Sequence, residues 1–343
     1  MKKTIVLKFG GSCLGPLSPD MANELINVEN EIRKYKDNDY NIIAVVSAPK
    51  GFTRQLHELA LSLIPDSNHK FLDPILGSGE EISTKTVAAY LNSKDIKTEY
   101  FLESDLPIIT DDKHGAANII KVKTNLIKKA FSRNSVVICP GYIGRTENGE
   151  PTTIGFDGSD TTAVYLTSAL KAEECVLYKD VQGVYPIRPD QINLSVEHFD
   201  ELSLKDMYYY SLLGARIVHP KSIEEAIKKD LVIRVKSITG KGNGTLLSNK
   251  VEEKEVIGIT YLNKTVNQPS FDGTYLSIIG KDIEINRILP LNKEIEGEKI
   301  VKILSDELQE KIEIPKQKFK TIFLENCDYK KFTDQLFINL FIK

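Results

Sequence analysis

The residues with the most chemical promise come first in the chain. The segment TIVLKFGGSCLG sets Lys8 inside an apolar run and brings two adjacent glycines, Gly10 and Gly11, soon after it. With no Cβ in the way, the backbone N–H groups at such glycines can approach a polyanion, and a lysine beside exposed amides suits a phosphate. A strand ending in an ordinary glycine turn, with a solvated lysine, explains the segment equally well. It matches neither the Walker pattern nor Gly-x-Gly-x-x-Gly. Recurrence favours the phosphate reading, because glycine and small hydroxyl residues cluster again at SAPKGFT, at PGYIG and at TTIGFDGSDTTA. The last cluster places Gly158, Ser159 and Asp160 directly before the helical run TTAVYLTSALKA. Ser or Asp there can be an N-cap worth about 1 kcal/mol, and capping is compatible with anion binding by the free amides of a helix start.

The elements that must position these loops alternate. TIVLKF reads as a strand, Met21 to Lys36 as a helix, NIIAVVSA as a strand and Phe52 to Leu63 as a helix. Further apolar runs at SVVICPGYIG, ECVLYKDV and LVIRVKS are separated by helical segments near Asp160 to Leu170 and Lys221 to Lys229. This pattern predicts an α/β fold with parallel strands and helical crossovers, the strands buried on both faces. In open sheets of this kind ligands bind beyond the carboxyl ends of the strands, so the loops are expected to converge on one crevice. After Ser237 the stretch TGKGNGTLLSNK is rich in Gly, Asn, Ser and Lys and predicts a domain boundary. Beyond it, VIGITYL, TYLSIIG and KTIFLEN read as strands, and Gly297 to Glu310 and Tyr329 to Phe337 as helices, together an α+β module. No internal repeat is visible.

Composition narrows the function classes. At 343 residues the chain suits a large domain with a smaller one attached, and 41% hydrophobic with 27% charged residues is ordinary for a globular protein. Lys plus Arg (45) nearly balance Asp plus Glu (48), so no field favours nucleic acid. Cys13, Cys139, Cys175 and Cys327 are scattered and no His stands at ligand spacing, so neither a disulfide framework nor a bound metal site is expected, and reduced thiols in a cytoplasmic protein fit. Lys8 interrupts the first apolar run too early for a signal peptide, and no stretch of about 18 apolar residues is present, so no membrane association is expected.

Taken in order, the blocks resemble the aspartate kinases of the amino acid kinase family. KFGGSCLG looks like the family's Lys-Phe-Gly-Gly-Thr-Ser loop, with Ser12 at the threonine, and Ser47 to Thr53 resembles its Ser-Ala loop. Gly77 to Thr84, GSGEEIST, resembles its Gly-Glu helix, and PTTIGFDGSDTTA its Thr-Thr-Leu-Gly-Arg-Gly-Gly-Ser-Asp segment. YKDVQGVYP resembles the Trp-Thr-Asp-Val-x-Gly-Ile-Tyr block, and LSLKDMYYYSLLGARIVHPKSIEEAI the helix pair after it. The resemblance implies a three-layer αβα kinase domain with a mainly parallel sheet over residues 1–240. A shortened ACT-like (ferredoxin-like) domain is implied over residues 250–343.

The implied activity is ATP-dependent phosphorylation of a small carboxylate, L-aspartate first, with Mg²⁺ bridging the ATP phosphates. It belongs to the biosynthesis of lysine, threonine and methionine. A carboxylate with a pKa near 4 is already ionised at neutral pH, so the work is electrostatic and positional. By this resemblance Lys8 neutralises the transferring phosphoryl group and Asp160 orients Lys8. Gly10, Gly11, Ser12, Gly158 and Ser159 hold the phosphates. Ser47 and Thr53 contact substrate or phosphate, with turn-forming hydroxyls as the alternative, and Glu80 holds the substrate ammonium. Asp180, Val181, Gly183, Tyr185, Arg188 and Arg216 lie on the nucleotide side, although Tyr185 also suits a core aromatic and Arg216 a helix-end charge.

Two positions depart from the family pattern. Where it has an arginine suited to grip a substrate carboxylate, the chain has Phe156, followed by Asp157 for glycine. The family's Asp-Pro-Arg appears as Arg188, Pro189 and Asp190. Three readings stay open: an aspartate kinase with compensating cations such as Arg145 or Arg188, a related kinase for a different acid, or a weakly active homologue retained for binding. A homodimer is expected, because the family's small domains often pair.

Overall fold

The computed structural model describes residues 2–64, 68–102, 105–155, 157–215, 217–240, 242–254, 256–264, 273–280, 294–295 and 319–324. They group into two compact units, Met1–Gln182 with Glu224–Leu246, and Gly183–Ile223 with Leu247–Lys343. In chain order the strands are β1 (Thr4–Phe9), β2 (Asn41–Val46), β3 (Thr98–Tyr100), β4 (Ile108–Thr110), β5 (Ile119–Val122), β6 (Val136–Pro140), β7 (Ile143–Arg145) and β8 (Pro151–Thr153). They continue with β9 (Cys175–Lys179), β10 (Glu201–Ser203), β11 (Ile233–Ser237), β12 (Thr245–Ser248), β13 (Val256–Lys264), β14 (Gly273–Gly280), β15 (Glu294–Ile295) and β16 (Phe319–Leu324). The helices are α1 (Gly11–Leu14), α2 (Met21–Asp37), α3 (Phe52–Leu63), α4 (His69–Ser93), α5 (Thr124–Phe131), α6 (Gly158–Leu170), α7 (Leu204–Leu212) and α8 (Pro220–Lys228).

The first unit is built on parallel strands in the order β11-β9-β1-β2-β6-β3. Apolar runs such as IVLKF, broken only by Lys8, and IIAVV leave these strands buried on both faces, as parallel sheets between helices require. Met21, Leu25, Val28 and Ile32 recur at helical spacing on α2 and form one core with Ile5, Leu7 and Phe9 of β1 and with Val87 and Leu91 of α4. Helix α6 packs on β1, β2 and β9. Alternation along β1 puts Val6 and Lys8 on the face opposite the α2 core, which is the face α6 covers. Three layers result.

Three details differ from the sequence expectation. The run SVVICPGYIG is two strands in two sheets, because Tyr142 takes a left-handed conformation (φ 63°) between β6 and β7. β7 joins β5, β4 and β8 in a small mixed sheet whose strands are too short to show a period. The glycine-rich stretch after Ser237 contains β12, whose Thr245, Leu247 and Ser248 are buried.

In the second unit β13, β14, β16 and β15 form an antiparallel sheet in that order. The three strands expected after residue 250 are present there, and the helices expected at Gly297 to Glu310 and Tyr329 to Phe337 lie outside the described residues. Cys13, Cys139 and Cys175 are buried free thiols. No helix among the described residues is long and apolar enough to cross a membrane.

Candidate active site

The centre of the site is set by strand register. β1 pairs with β9 so that Lys8 stands beside Leu177 and Phe9 beside Tyr178. Lys179, two residues beyond Leu177, therefore shares the face of Lys8 and stands one step closer to the carboxyl ends of the strands. Asp160, in the first turn of α6, meets both lysines. The Lys8 ammonium lies 2.8 Å from Oδ1, and the Lys179 ammonium donates to Oδ2 at 2.5 Å. A lysine ammonium carries three donors, so Lys8 keeps two for another acceptor beyond its ion pair with Oδ1.

Asp160 is fully buried, which alone pushes its pKa up. The two ammonium groups, Lys179 first and then Lys8, outweigh burial and hold it down at about 2. Burial works against the charge on Lys179 as well, but Asp160, then Asp157 and Asp180, keep its pKa above the ordinary lysine value.

The loops around this centre touch because two of their residues lack a Cβ. One on Gly11 would come within 2.7 Å of the Ala48 carbonyl oxygen, and one on Gly141 within 2.6 Å of Ser159 Cβ. The loops after β1, β2 and β6 and the start of α6 thus meet at the carboxyl end of the sheet. Gly10, Gly11, Ser12, Gly158 and Ser159 all lie in these loops, around Lys8 and Asp160.

Glu80 reaches the same loops from α4. It is 3% exposed, and its Oε1 accepts from the Ala48 N–H at 3.0 Å. Oε2 has no hydrogen-bond partner, an unusual state for a buried carboxylate oxygen. Burial pushes the Glu80 pKa up to about 8, although the Ala48 N–H and the Lys8 charge pull it down. A buried acid with one free oxygen suits a cationic or hydrogen-bonding ligand. Ser47 is half-buried and donates its N–H to the Phe9 carbonyl at 3.1 Å. Thr53 is half-buried in the first turn of α3.

The residues expected on the nucleotide side divide between the units. Asp180 and Val181 come directly after β9 in the first, exposed and half-buried respectively. In the second, Gly183 is buried, and Tyr185 packs edge-on against His198 at 5.8 Å while its carbonyl accepts from the Tyr210 hydroxyl at 2.8 Å. Arg188 forks onto Asp190 at 3.0 and 2.7 Å on the surface. Arg145, the other candidate compensating cation, donates twice to the Gly149 carbonyl in the β7–β8 turn, at 3.1 and 2.6 Å. Phe156 and Arg216 lie outside the described residues. Lys179 is the residue that sequence reasoning passed over. The signal for it was a cation at the end of the apolar run ECVLYK, where a buried strand has no reason of its own to carry charge.

A parallel sheet with amide-rich loops at its carboxyl end, a buried lysine at the end of its central strand and an aspartate at the facing helix start define a class of phosphate-handling proteins. The chain belongs to the amino acid kinase family, whose family model matches residues 3–237. Similar proteins include an aspartokinase of Bacillus sp. (strain MGA3), 29% identical over 89% of this chain and 76% of its own length. An aspartokinase of Geobacillus stearothermophilus is 33% identical over 73% of this chain and 60% of its own length, so the chain spans about three-fifths of that relative. The solved structure of E. coli aspartokinase III in complex with aspartate and ADP superposes with a TM-score of 0.74, over 99% of this chain and 100% of that one. At 17% identity that likeness shows a common fold.

Proposed function

We propose that the chain transfers the γ-phosphoryl group of ATP to the side-chain carboxylate of L-aspartate, giving 4-phospho-L-aspartate. The observation that carries the reading is the buried arrangement of Lys8, Asp160 and Lys179 beside the glycine loops, with the unpartnered Glu80 oxygen close to the same loops. The names of the aspartokinase relatives support aspartate as the acceptor.

In this reading the acceptor carboxylate needs no base, and the chain contributes charge and position. Lys8, held by Asp160 with donors to spare, neutralises charge on the transferring group. The N–H groups at Gly10, Gly11 and Ser12 and at Gly158 and Ser159 receive phosphate oxygens. Glu80, ionised, holds the substrate ammonium through Oε2, and Ser47 and Thr53 line the acceptor side. Asp180, Val181, Gly183, Tyr185, Arg188 and Arg216 belong to the nucleotide side. Among the described residues no group of three His, Cys, Asp or Glu is placed to hold a metal ion. Mg²⁺ accompanying ATP would supply charge to screen the phosphates. No residue is assigned to it.

The same reading takes residues 1–240 as the catalytic region and 250–343 as an ACT-like region that pairs in a cytoplasmic homodimer serving lysine, threonine and methionine biosynthesis. Phe156 and Asp157, in place of the family's Arg-Gly, favour a second reading in which the acceptor is another acid. Trapping of acyl phosphate with hydroxylamine, across a panel of amino and carboxylic acids with ATP and Mg²⁺, separates the two. Hydroxamate from aspartate supports the first, hydroxamate from another acid alone supports the second, and none from any acid overturns both.

A further inference from the structure

We propose that Lys179 is a second phosphate-binding cation, which meets the ATP phosphates beside Lys8. The inference rests on the kinase reading above and adds a residue to it. Lys8 with Asp160 alone is a neutral pair with no surplus charge to offer a polyanion. With Lys179 the three groups Lys8, Asp160 and Lys179 sum to one positive charge, while Glu80 turns its carboxylate to the acceptor side.

Asp160 is completely buried, so its carboxylate presents nothing to a ligand, whereas the side chains of Lys8 and Lys179 keep 7% and 15% exposure. Of these three groups, only the ammonium groups are open to a solute. Both nitrogens are tied to the two oxygens of one carboxylate, so they lie within about 7.5 Å of each other, a span that one triphosphate tail meets at both ends. Lys179 also closes β9 at the carboxyl end of the sheet, where ligands of open α/β sheets bind.

A purely structural role accounts poorly for this geometry. Lys8 already neutralises Asp160, so the buried carboxylate does not need a second ammonium for its own compensation, and Lys179 keeps donors beyond the one it gives Asp160. Asp157, at the entry of α6, and Asp180, next along the chain, also act on Lys179 and favour its charged form. Those two acids stand at the rim, half-buried and exposed, while Asp160 is the fully buried partner. In the aligned blocks, Lys179 stands at the threonine of Trp-Thr-Asp-Val, and Phe156 stands at the family's arginine.

The test uses the full chain and titrates ATP, ADP and adenosine by calorimetry into wild type, Lys179→Met and Lys179→Arg. The expected pattern is a loss of about thirtyfold in ATP affinity for Lys179→Met, the scale of one charged hydrogen bond. ADP should lose less and adenosine less than about twofold, and Lys179→Arg should recover most of the ATP affinity. Where Lys179→Met does not fold, Lys179→Gln keeps a donor for Asp160 and should give the same graded loss. Unchanged ATP affinity, or equal losses for ATP and adenosine, would overturn the role of Lys179 while leaving the kinase reading intact. A rise in KM for the acid alone, with nucleotide affinity unaltered, would overturn it as well. Wild type that binds no ATP would sink the kinase reading and this proposal together.

Discussion

Removing Lys8 and removing the charge of Asp160 should have opposite balances of stability and activity, because one buried carboxylate is shared by two lysines. In Lys8→Met the stem volume is kept, and Asp160 still holds Lys179 at 2.5 Å. No buried charge is left uncompensated, so the cost should stay below about 2 kcal/mol, short of the 3–5 kcal/mol typical when a buried pair loses one member. In Asp160→Asn two ammonium groups remain within about 7.5 Å of each other, and at an effective dielectric constant near 20 their repulsion alone is about 2 kcal/mol. Their lost attraction to the carboxylate adds to this, so the full 3–5 kcal/mol is expected. Urea unfolding of the three proteins at pH 7, monitored by fluorescence and circular dichroism to check for one transition, measures the difference. Turnover should nevertheless fall about 10²- to 10³-fold in Lys8→Met, about 2.7–4 kcal/mol of lost transition-state stabilisation. Equal destabilisation by the two substitutions would refute the shared arrangement, and unaltered turnover in Lys8→Met would rule that lysine out of the chemistry.

The raised Glu80 gives a pH signature. If its ionised form holds the substrate ammonium, KM for aspartate should rise about tenfold per pH unit below about pH 8, and Glu80→Gln should have a high KM without that slope. Folding stability carries the matching sign. Between the ordinary glutamate pKa near 4.5 and about 8 the folded chain binds the extra proton, so stability falls as pH rises through that window, and Glu80→Gln should flatten the fall. Gly11→Ala should lower kcat by an order of magnitude or more, because the new Cβ would stand 2.7 Å from the Ala48 carbonyl oxygen and must push apart two substrate loops. Steady-state kinetics checks it, and kinetics equal to wild type would contradict the close approach. Arg188→Ala should change stability by less than about 1 kcal/mol, since its ion pair with Asp190 lies on the surface, and a thermal melt measures this.

Much of the fold was legible because its signals are local. Runs such as IVLKF and IIAVV announce buried strands, and the Met21, Leu25, Val28, Ile32 spacing announces the helix that covers them. Lys8, Gly10 and Gly11 were legible for the same reason, as a charge and two small residues that a buried strand end does not otherwise need. Lys179 was not, because its role depends on the register between β1 and β9, strands separated by more than 160 residues in the chain. Sequence spacing carries no record of that pairing. The two arginines considered as replacement cations are each held by a neighbour in their own turn, Gly149 for Arg145 and Asp190 for Arg188. The small sheet of β4, β5, β7 and β8 escaped notice because strands of three or four residues show no alternation to count.

Phosphoryl transfer from ATP to a carboxylate at the Lys8–Asp160–Lys179 centre is tested most sharply by measuring ADP and aspartyl hydroxamate together, with the purified chain, ATP, Mg²⁺, aspartate and hydroxylamine. The two products should appear in parallel, both should require aspartate, and both should nearly vanish in Lys8→Met. ADP formed at the same rate without any acid, or hydroxamate undiminished in Lys8→Met, would contradict that chemistry.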